Sequence, residues 1–583
     1  MLNLRLYRTC WLVAGVALVV ALLTLQTPEA GPEPNLPSTI DGQGTLELSQ
    51  QLAAIAPDRP PGSAHDLAAA RWVQGQLAQV PGAAGKVRVQ DLEARANGER
   101  VSLQNVYLAV PGTDNGRPMG GILVVAPRDT PADVEAGTTS TAVMLRLAQA
   151  SGTTRHQRPH LFVSTDGSTL GNAGLRWFLH RFSSFPLTAA IVLDAPGEAN
   201  GDRVHVWIDG RTGAQALGLG NIADRSVARA GGRPDGPPSL GGQLLRLAVP
   251  QTFGDQGAAI ADGLTAVTLS ARSESPLREG RPPTAERLEM VANAANDLLG
   301  TLDVAETVPA ADGGLSFAGK FLRPTIARLT LLLLMLPVLV CALDILSRQR
   351  RARVPIREGL RAVGLRAVPL FAALGAAYLL ALGGLFPGAA AGEPPIPANA
   401  RFGALAGLAI VGAALAGVLG WVLARRRARR LGASPAAEAA AALAALSVLL
   451  IVLWIVRPYA LVLAIPAAHA ALLATSARRP WHLPALAALA VVPFVILVVS
   501  VSQVLHANVA FTVWYLMDTS ANGSRGAVGL FLGLLVAACI LSLTALVIER
   551  AAKGRLALPR RRGRPPRERP AAPRPPEAGA GRW

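Results

Sequence analysis

Cysteine is almost missing from this chain. Cys10, Cys341 and Cys539 are the three in 583 residues, and each lies in an apolar run. The polar middle of the chain has none, which excludes a disulfide framework and a cysteine zinc site there. Charge is also scarce: Asp, Glu, Lys and Arg make up 16 %, where a soluble protein carries roughly 25 %. Lysine barely contributes, with Lys86, Lys320 and Lys553 the only three of 56 basic residues. With so much alanine, that bias points to a high-GC bacterial genome more than to function. Hydrophobic residues reach 51 % and mean hydropathy is +0.35, which excludes disorder or a coiled coil as the main character. The chain is too long for one core and is at least partly built for lipid.

The formal charge of +18 invites a nucleic-acid partner, but its location argues otherwise. Between Thr27 and Arg323 there are 25 Lys+Arg against 30 Asp+Glu, and the remainder holds 31 basic and 8 acidic residues. The excess therefore flanks the apolar runs, and the expected partner is a lipid bilayer, not nucleic acid. About 20 apolar residues cross a bilayer. Eight stretches qualify, roughly Cys10–Gln26, Thr325–Leu346, Ala367–Phe386, Phe402–Ala424, Ala437–Val456, Tyr459–Thr475, Leu483–Leu505 and Ala527–Ile548. The first reads as an uncleaved anchor rather than a signal peptide, because Pro28-Glu29-Ala30 is a poor cleavage site.

Arginines fall on one parity of the connections: Arg5 and Arg8, Arg348–Arg366, Arg425–Arg430, Arg478–Arg479 and the tail from Arg560. The alternate loops, Pro387–Arg401 and His506–Arg525, carry little charge. The positive-inside bias then puts both termini in the cytoplasm and the polar domain outside a plasma membrane. The expected organisation is a cytoplasmic stretch 1–9, an anchor 10–26, an extracytoplasmic α/β domain 27–324, a seven-helix membrane domain 325–548 and a disordered Pro/Arg-rich tail 549–583. Asp344 precedes Arg348 by four residues and reads as a helix-end ion pair. His469 follows Pro466 within a span, where a packed kink, an interhelical contact and a functional site all remain open.

Within the polar domain, short apolar strands alternate with helices: Ile122–Ala126, His160–Thr165, Ala189–Asp194 and Ala266–Ser270 against Thr138–Ala150, Leu170–Arg181, Gly213–Ala230 and Pro283–Leu299. Such continuous apolar strands imply a mostly parallel sheet covered by helices on both faces. Ligand sites in such sheets lie beyond the carboxyl ends of the strands, which puts Pro127–Asp129, Asp166–Thr169 and Asp194–Gly197 on one rim.

At those strand ends the sequence resembles metallopeptidase family 28, the di-zinc aminopeptidases and glutaminyl cyclases. Seven pieces carry the likeness in order: Arg59–Ser63, Asn105-Val106 with Pro111-Gly112, Ile122–Asp129, Thr139–Ala148, Phe162–Thr169, Ile191–Asp194, and Gly254–Gly257 with Gly263–Val267. The resemblance implies a zinc-aminopeptidase-like fold, and it implies ligand positions that this chain fills poorly. Zinc takes His nitrogen and carboxylate oxygen. Here the positions of the former ligands are Pro127, Ala136, Thr169, Asp194 and Gln256, with Glu135 beside Ala136. The general-base position is Ser168, and Asp129 stands where the family supports a ligand. Neither a catalytic residue nor a bound cofactor is expected, although a cleft rimmed by Asp129, Glu135, Asp166, Asp194, Asp255 and Gln256 could hold a partner. His156, His160, His180 and His205 flank strands and helices away from these corners and read as solvated or capping.

One anchor, one such external domain and then seven spans also resembles the attachment subunit of the GPI transamidase, a non-catalytic subunit that presents substrates. That implies a scaffold with membrane-protein partners and an extracytoplasmic polypeptide as cargo. Two other readings stand beside it. One is an active zinc aminopeptidase using Glu135, Asp194 and an unmatched histidine. The other is a transporter or lipid-handling protein with a polar cavity near His469 and Arg457.

Overall fold

The computed structural model describes the chain except residues 1, 29–30, 35–38, 84, 97–98, 114–118, 132–133, 200, 251, 276, 278–279, 384–402, 477–481, 506, 522–526 and 557–583. The loop expected at Pro387–Arg401, Arg478–Arg479 and the tail from 557 onward lie outside the described residues. Helix α1 (Leu4–Leu23) starts where the Asn3 side chain accepts from the Arg5 and Leu6 amides, ahead of the expected Cys10, because a capped amide tolerates the polar first turn. Then follow α2 (Gly42–Ile55), α3 (Ala64–Ala78), β1 (Arg88–Ala96), β2 (Glu99–Val110), β3 (Gly121–Pro127), α4 (Thr138–Thr153), β4 (His160–Thr165), α5 (Ala173–Arg181) and β5 (Leu187–Asp194). Next come β6 (Arg203–Trp207), α6 (Leu217–Arg229), β7 (Arg233–Pro234), α7 (Leu240–Ala248), α8 (Asp255–Ala261), β8 (Thr265–Ser270) and α9 (Ala285–Val304).

The sheet has eight strands in the order β1-β2-β4-β3-β5-β8-β6-β7. Its centre, β4-β3-β5-β8, is parallel, while β1–β2, β2–β4 and β6–β8 pair antiparallel. With β6–β7 also parallel, four of the seven pairings are parallel and three antiparallel. The sheet is thus mixed, with the expected parallel arrangement at its centre. The apolar runs mark only strands buried on both faces, and the outer strands alternate instead. Every residue of β4 and β8 is buried, as are Gly121–Ala126 of β3. Helices α2, α4, α6 and α9 pack in one group, and α5 with α8 in another. The parallel centre is what lines up four strand ends, at Pro127, Thr165, Asp194 and Ser270, along one rim.

Beyond the sheet lie β9 (Leu315–Phe317), β10 (Lys320–Leu322), α10 (Pro324–Arg351), α11 (Ile356–Leu382), α12 (Ala404–Leu431), α13 (Pro435–Val456), α14 (Leu461–Ala474), α15 (His482–Leu505), α16 (Val509–Ala521) and α17 (Ala527–Leu556). Among the described residues seven helices are long and apolar enough to cross a membrane. The expected sixth stretch is shorter: Arg457 breaks the helix, a 3-10 turn spans Pro458–Ala460, and α14 has 14 residues. Within the expected loop His506–Arg525 the structure has α16, and α17 runs on to Leu556, into the segment expected to be disordered. Asp344 and Arg348 form their ion pair. His469 makes an interhelical contact: its Nε2 lies 3.0 Å from the Leu334 carbonyl, which can only accept, so Nδ1 accepts from the Tyr7 hydroxyl at 2.9 Å.

The two parts are joined at several points. Gln26, after α1, exchanges backbone hydrogen bonds of 2.9 and 2.8 Å with Phe321 of β10, so the chain enters and leaves the sheet domain side by side. Tyr459 donates its hydroxyl to the Gly313 carbonyl. Leu247 and Ala248 of α7 share a buried cluster with Leu446 and Leu461.

The close approaches make a test of this packing. A Cβ on Gly174 would fall 2.1 Å from the Asp166 carbonyl oxygen, whereas one on Gly75, exposed in α3, meets nothing within 4 Å. Gly174→Ala is expected to destabilise by about 2–3 kcal/mol, and Gly75→Ala to stabilise by about 0.5–1 kcal/mol. Thermal unfolding of the full chain in detergent reads both.

Candidate functional site

The four strand ends enclose a cavity of about 40 Å³, lined by Pro127, Asp129, Ser140, Ser168, Thr169, Asp194, Phe253, Asp255, Arg272 and their neighbours. A water needs roughly 10–15 Å³ by this measure, so the space suits two or three waters. Asp194 ends β5, and Ala195 behind it sits in the left-handed region at φ 46° with its amide donating to Ser140 Oγ at 2.8 Å. A non-glycine residue there costs on the order of 1–3 kcal/mol, which fixes where the Asp194 carboxylate points. It points at an arginine. Arg272 Nη2 donates to Asp194 Oδ2 at 2.7 Å. The Arg272 guanidinium lies 5.1 Å from the Trp207 ring centroid, and its Nη1 donates to Ser275 Oγ at 3.2 Å. Arg272 follows β8, whose Ser270 is in register with Asp194.

Asp129 is equally committed. Its carboxylate accepts from the Ser168 amide (2.7 Å), the Thr169 amide (2.8 Å) and Thr169 Oγ1 (2.6 Å). It thereby caps the 3-10 turn Ser168–Leu170, whose flanking Gly167 and Gly171 both have positive φ. Burial raises the Asp129 carboxyl above its ordinary pKa, and those three donors oppose the rise. Asp255, at the start of α8, is buried with no well-formed hydrogen bond to either oxygen. Its pKa is pushed up to about 7 by burial first and then by the charges of Asp129 and Asp194, with Asn172 and Arg211 opposing.

Other expected rim residues are elsewhere. Asp166 is buried beneath the cavity, 3.6 Å from Arg128 Nη2. Burial, opposed by the Arg128 charge, raises its pKa to about 9. Arg128 itself forks onto Asp66 at 2.8 and 3.0 Å. Gln256 is fully buried on the far side, its Oε1 accepting from Thr268 Oγ1 at 2.7 Å and its Nε2 donating to Glu274 at 3.1 Å. Ala136 is buried and offers only its carbonyl, which Arg59 takes. Glu135 is exposed and does not line the cavity. So the rim gathers Asp129, Ser168, Thr169, Asp194 and Asp255, and leaves out Glu135, Asp166 and Gln256.

No histidine lines this cavity among the described residues. His156 and His160 are buried at the opposite end of β4, against the expectation of solvated rings. His180 is exposed and His205 pairs with Asp235. Three participants escape the sequence reading: Arg272, Phe253 and Glu198. Glu198 Oε1 accepts from the Gly137 amide, and burial first, then the Asp194 charge, pushes its pKa up to about 7. Arg272 had a signal, two residues past the fourth apolar strand. Glu198 and Phe253 are fixed by loop geometry that no pattern encodes.

Comparison with known proteins gives only structural likeness. No family model matches the chain, and no curated protein matches it. Solved structures do. A glutaminyl cyclase from an Acidobacteriales bacterium is 15 % identical, covering 47 % of this chain and 99 % of that one, with a TM-score of 0.37. The LapA aminopeptidase of Legionella pneumophila is 14 % identical, covering 45 % and 70 %, with a TM-score of 0.36. An aminopeptidase from Aneurinibacillus sp. strain AM-1 is 11 % identical, covering 46 % and 96 %, with a TM-score of 0.34. At scores this low these are similarities and nothing is built on them.

The buried acids set a pH dependence. Asp255 has a folded pKa near 7 against 3.8 unfolded, so the folded state holds the extra proton between those values. Its favourable contribution is present below about pH 4 and is lost as pH rises through about 7. Asp255→Asn is therefore expected to raise the melting temperature by several degrees at pH 8, and by much less at pH 5. Parallel melts at the two pH values check it.

Proposed function

We propose that this is an integral membrane protein whose external α/β domain has the zinc-aminopeptidase-like design with its metal chemistry dismantled. It acts as a non-catalytic scaffold or substrate-presenting subunit of a membrane complex, with a layout like that of the GPI-transamidase attachment subunit. The observation that carries this reading is the Asp194–Arg272 ion pair at 2.7 Å. The one carboxylate left among the former ligand positions is already neutralised by a guanidinium, which stays charged in proteins.

The other donors support the same conclusion. Pro127 has no ligating atom, Thr169 spends its hydroxyl on Asp129, and Gln256 is tied into a buried network with Thr268 and Glu274. This set does not fit a zinc pair, which needs His and carboxylate ligands with an open position for water. Among the described residues no histidine lines the cavity beside Ser168, so the base that usually activates a serine nucleophile is not seen there. A cavity of about 40 Å³ is far below the 300–1,000 Å³ of ordinary ligand sites, so a polypeptide would lie across the mouth instead of entering.

The arginine clusters fall on one parity of the eight apolar stretches, which supports a domain held outside the membrane with both termini on the cytoplasmic side. The seven long helices alone would put the termini on opposite sides. This topology therefore needs the short α14 with its 3-10 turn as the eighth crossing. The small-residue stretches Gly403–Gly407, at the start of α12, and Gly412–Gly417 would permit close contact with another membrane subunit.

Activity decides the matter. The full chain in detergent, supplied with zinc, is expected to release nothing from aminoacyl reporters beyond the rate of a chain-free control. Turnover abolished by a chelator and restored by zinc would overturn the reading.

A further inference from the structure

The geometry points to a divalent metal site of zinc type at the other end of the sheet, formed by His156, His160 and Asp303. It is independent of the dismantled rim: His160 opens β4 and Thr165 closes it, which sets the two ends roughly 16 Å apart at ~3.3 Å per residue.

All three residues are buried, and one donor atom from each falls within 4.8 Å of the others. The imidazole rings of His156 and His160 stack at 4.1 Å with 12° between planes. His156 Nδ1 lies 2.7 Å from the Arg158 carbonyl oxygen. That oxygen can only accept, so Nδ1 carries the proton and the Nε2 lone pair of the neutral ring is free. A hydrogen bond of this kind to the non-ligating nitrogen is how proteins orient metal-binding histidines.

His160 Nδ1 lies 3.0 Å from Ser151 Oγ, and its Nε2 is buried with no hydrogen-bond partner. That orphan nitrogen is 3.5 Å from Asp303 Oδ1. This is long for a hydrogen bond, but it is close to the roughly 3.4 Å between two ligands of a tetrahedral ion bound at about 2.0–2.1 Å. In the tautomer whose Nδ1 donates to Ser151 Oγ, a lone pair and a carboxylate face each other across this gap, and a cation bound between them would select that tautomer.

Asp303 is held for the purpose. It accepts the Gln157 amide at 2.9 Å on each oxygen and the Arg158 amide at 2.7 Å on Oδ1, which orients the carboxylate and leaves lone pairs on it. His156 must close in by at most roughly 1.4 Å to complete the tetrahedral spacing. It has room, because it lines a cavity of about 220 Å³ with Ser151, Thr154 and Lys86. Of the three candidate ligands, His156 is the one that lines this cavity, so an ion would enter past its ring, and a water entering the same way would be the fourth ligand. Two imidazoles, a carboxylate and a water suit Zn²⁺ or Co²⁺ rather than Mg²⁺ or Ca²⁺, which prefer all-oxygen sites. The bound ion would clasp the turn between α4 and β4 to the end of α9.

The full chain, purified in detergent without a histidine tag and stripped with chelator, is titrated with Co²⁺ and then Zn²⁺. Ligand-field absorption at one Co²⁺ per chain is expected, displaced by Zn²⁺, with a melting temperature several degrees higher in Zn²⁺ than in Mg²⁺. His156→Ala, at the cavity edge, and Asp303→Asn, which can still accept the two amides, should each weaken Co²⁺ binding at least tenfold. No absorption and no melting shift in the unmodified chain would overturn the site. So would Co²⁺ binding that survives both substitutions, which would locate the ion elsewhere and, if at the strand-end rim, count against the proposed function instead.

Discussion

Carboxylates collected at the ends of buried parallel strands cannot stand alone. Taking an unpaired charge out of water costs several kcal/mol, so each must find a proton, a donor or a cation. Arg272 answers for Asp194 at 2.7 Å, and Arg128 answers for Asp66 and sits 3.6 Å from Asp166. Arg59 spans the same corner, its Nε donating to the Arg128 carbonyl at 2.7 Å and its Nη1 to the Ala56 carbonyl at 2.7 Å. Burial lowers its pKa to about 10, with Glu198 opposing. What remains uncompensated shows as raised pKa values at Asp255 and Glu198. The rim is a self-neutralised cluster in which guanidinium groups supply the positive charge.

That cluster is also tied to the membrane part of the chain. Phe253, which lines the cavity, packs against a buried group containing Leu505, Trp514 and Tyr515 from α15 and α16. Arg211 holds the turn after Ser168 through the Gly171 carbonyl and Asn172, and its environment includes Asp255 and Tyr515. One wall of the rim therefore leans on a helix that follows a membrane-suited segment. With the Gln26–Phe321 tether and Tyr459 on Gly313, motion of the bundle and of the rim cannot be independent. In the proposed scaffold role this would matter more than catalysis, because a partner on the helices and a polypeptide at the mouth would touch one connected body.

Much of this was readable beforehand, for a physical reason. Strands buried on both faces must be apolar throughout, so β3, β4, β5 and β8 announce themselves, and the residues just after them form the rim wherever the sheet is parallel. The outer strands give a weaker, alternating signal, which is why the antiparallel edges were not foreseen. At the rim, Asp129 and Asp194 were placed by their strands. Asp166 follows β4 directly and Gln256 is the second residue of α8, yet both face inward. The turn after Asp166 carries positive φ at Gly167 and Asn172, and Gln256 points off the buried face of its helix, which a strand-end reading does not show. The histidines failed for a similar reason. His156 precedes β4 and His160 is its first residue, where a polar residue is usually solvated, and the return of α9 with Asp303 helps to bury them.

The two ends of β4 now carry opposite solutions to one electrostatic problem. At the carboxyl end the positive charge is covalent and permanent, and this opposes metal binding there. A divalent ion brought within about 4 Å of a guanidinium is repelled by roughly 8 kcal/mol at an effective dielectric of 20. Restoring a histidine at Pro127 or Gln256 would therefore not rebuild a zinc site while Arg272 holds Asp194. At the amino end no arginine is paired with the carboxylate. Asp303 accepts the Gln157 and Arg158 amides and faces His160, with the Arg158 guanidinium in electrostatic reach but not hydrogen-bonded to it among the described residues. The imidazoles offer lone pairs where the other rim offers cations bonded directly to the carboxylate. Whether an end of this sheet can receive a metal is decided less by how many carboxylates it collects than by whether a fixed positive charge arrived first.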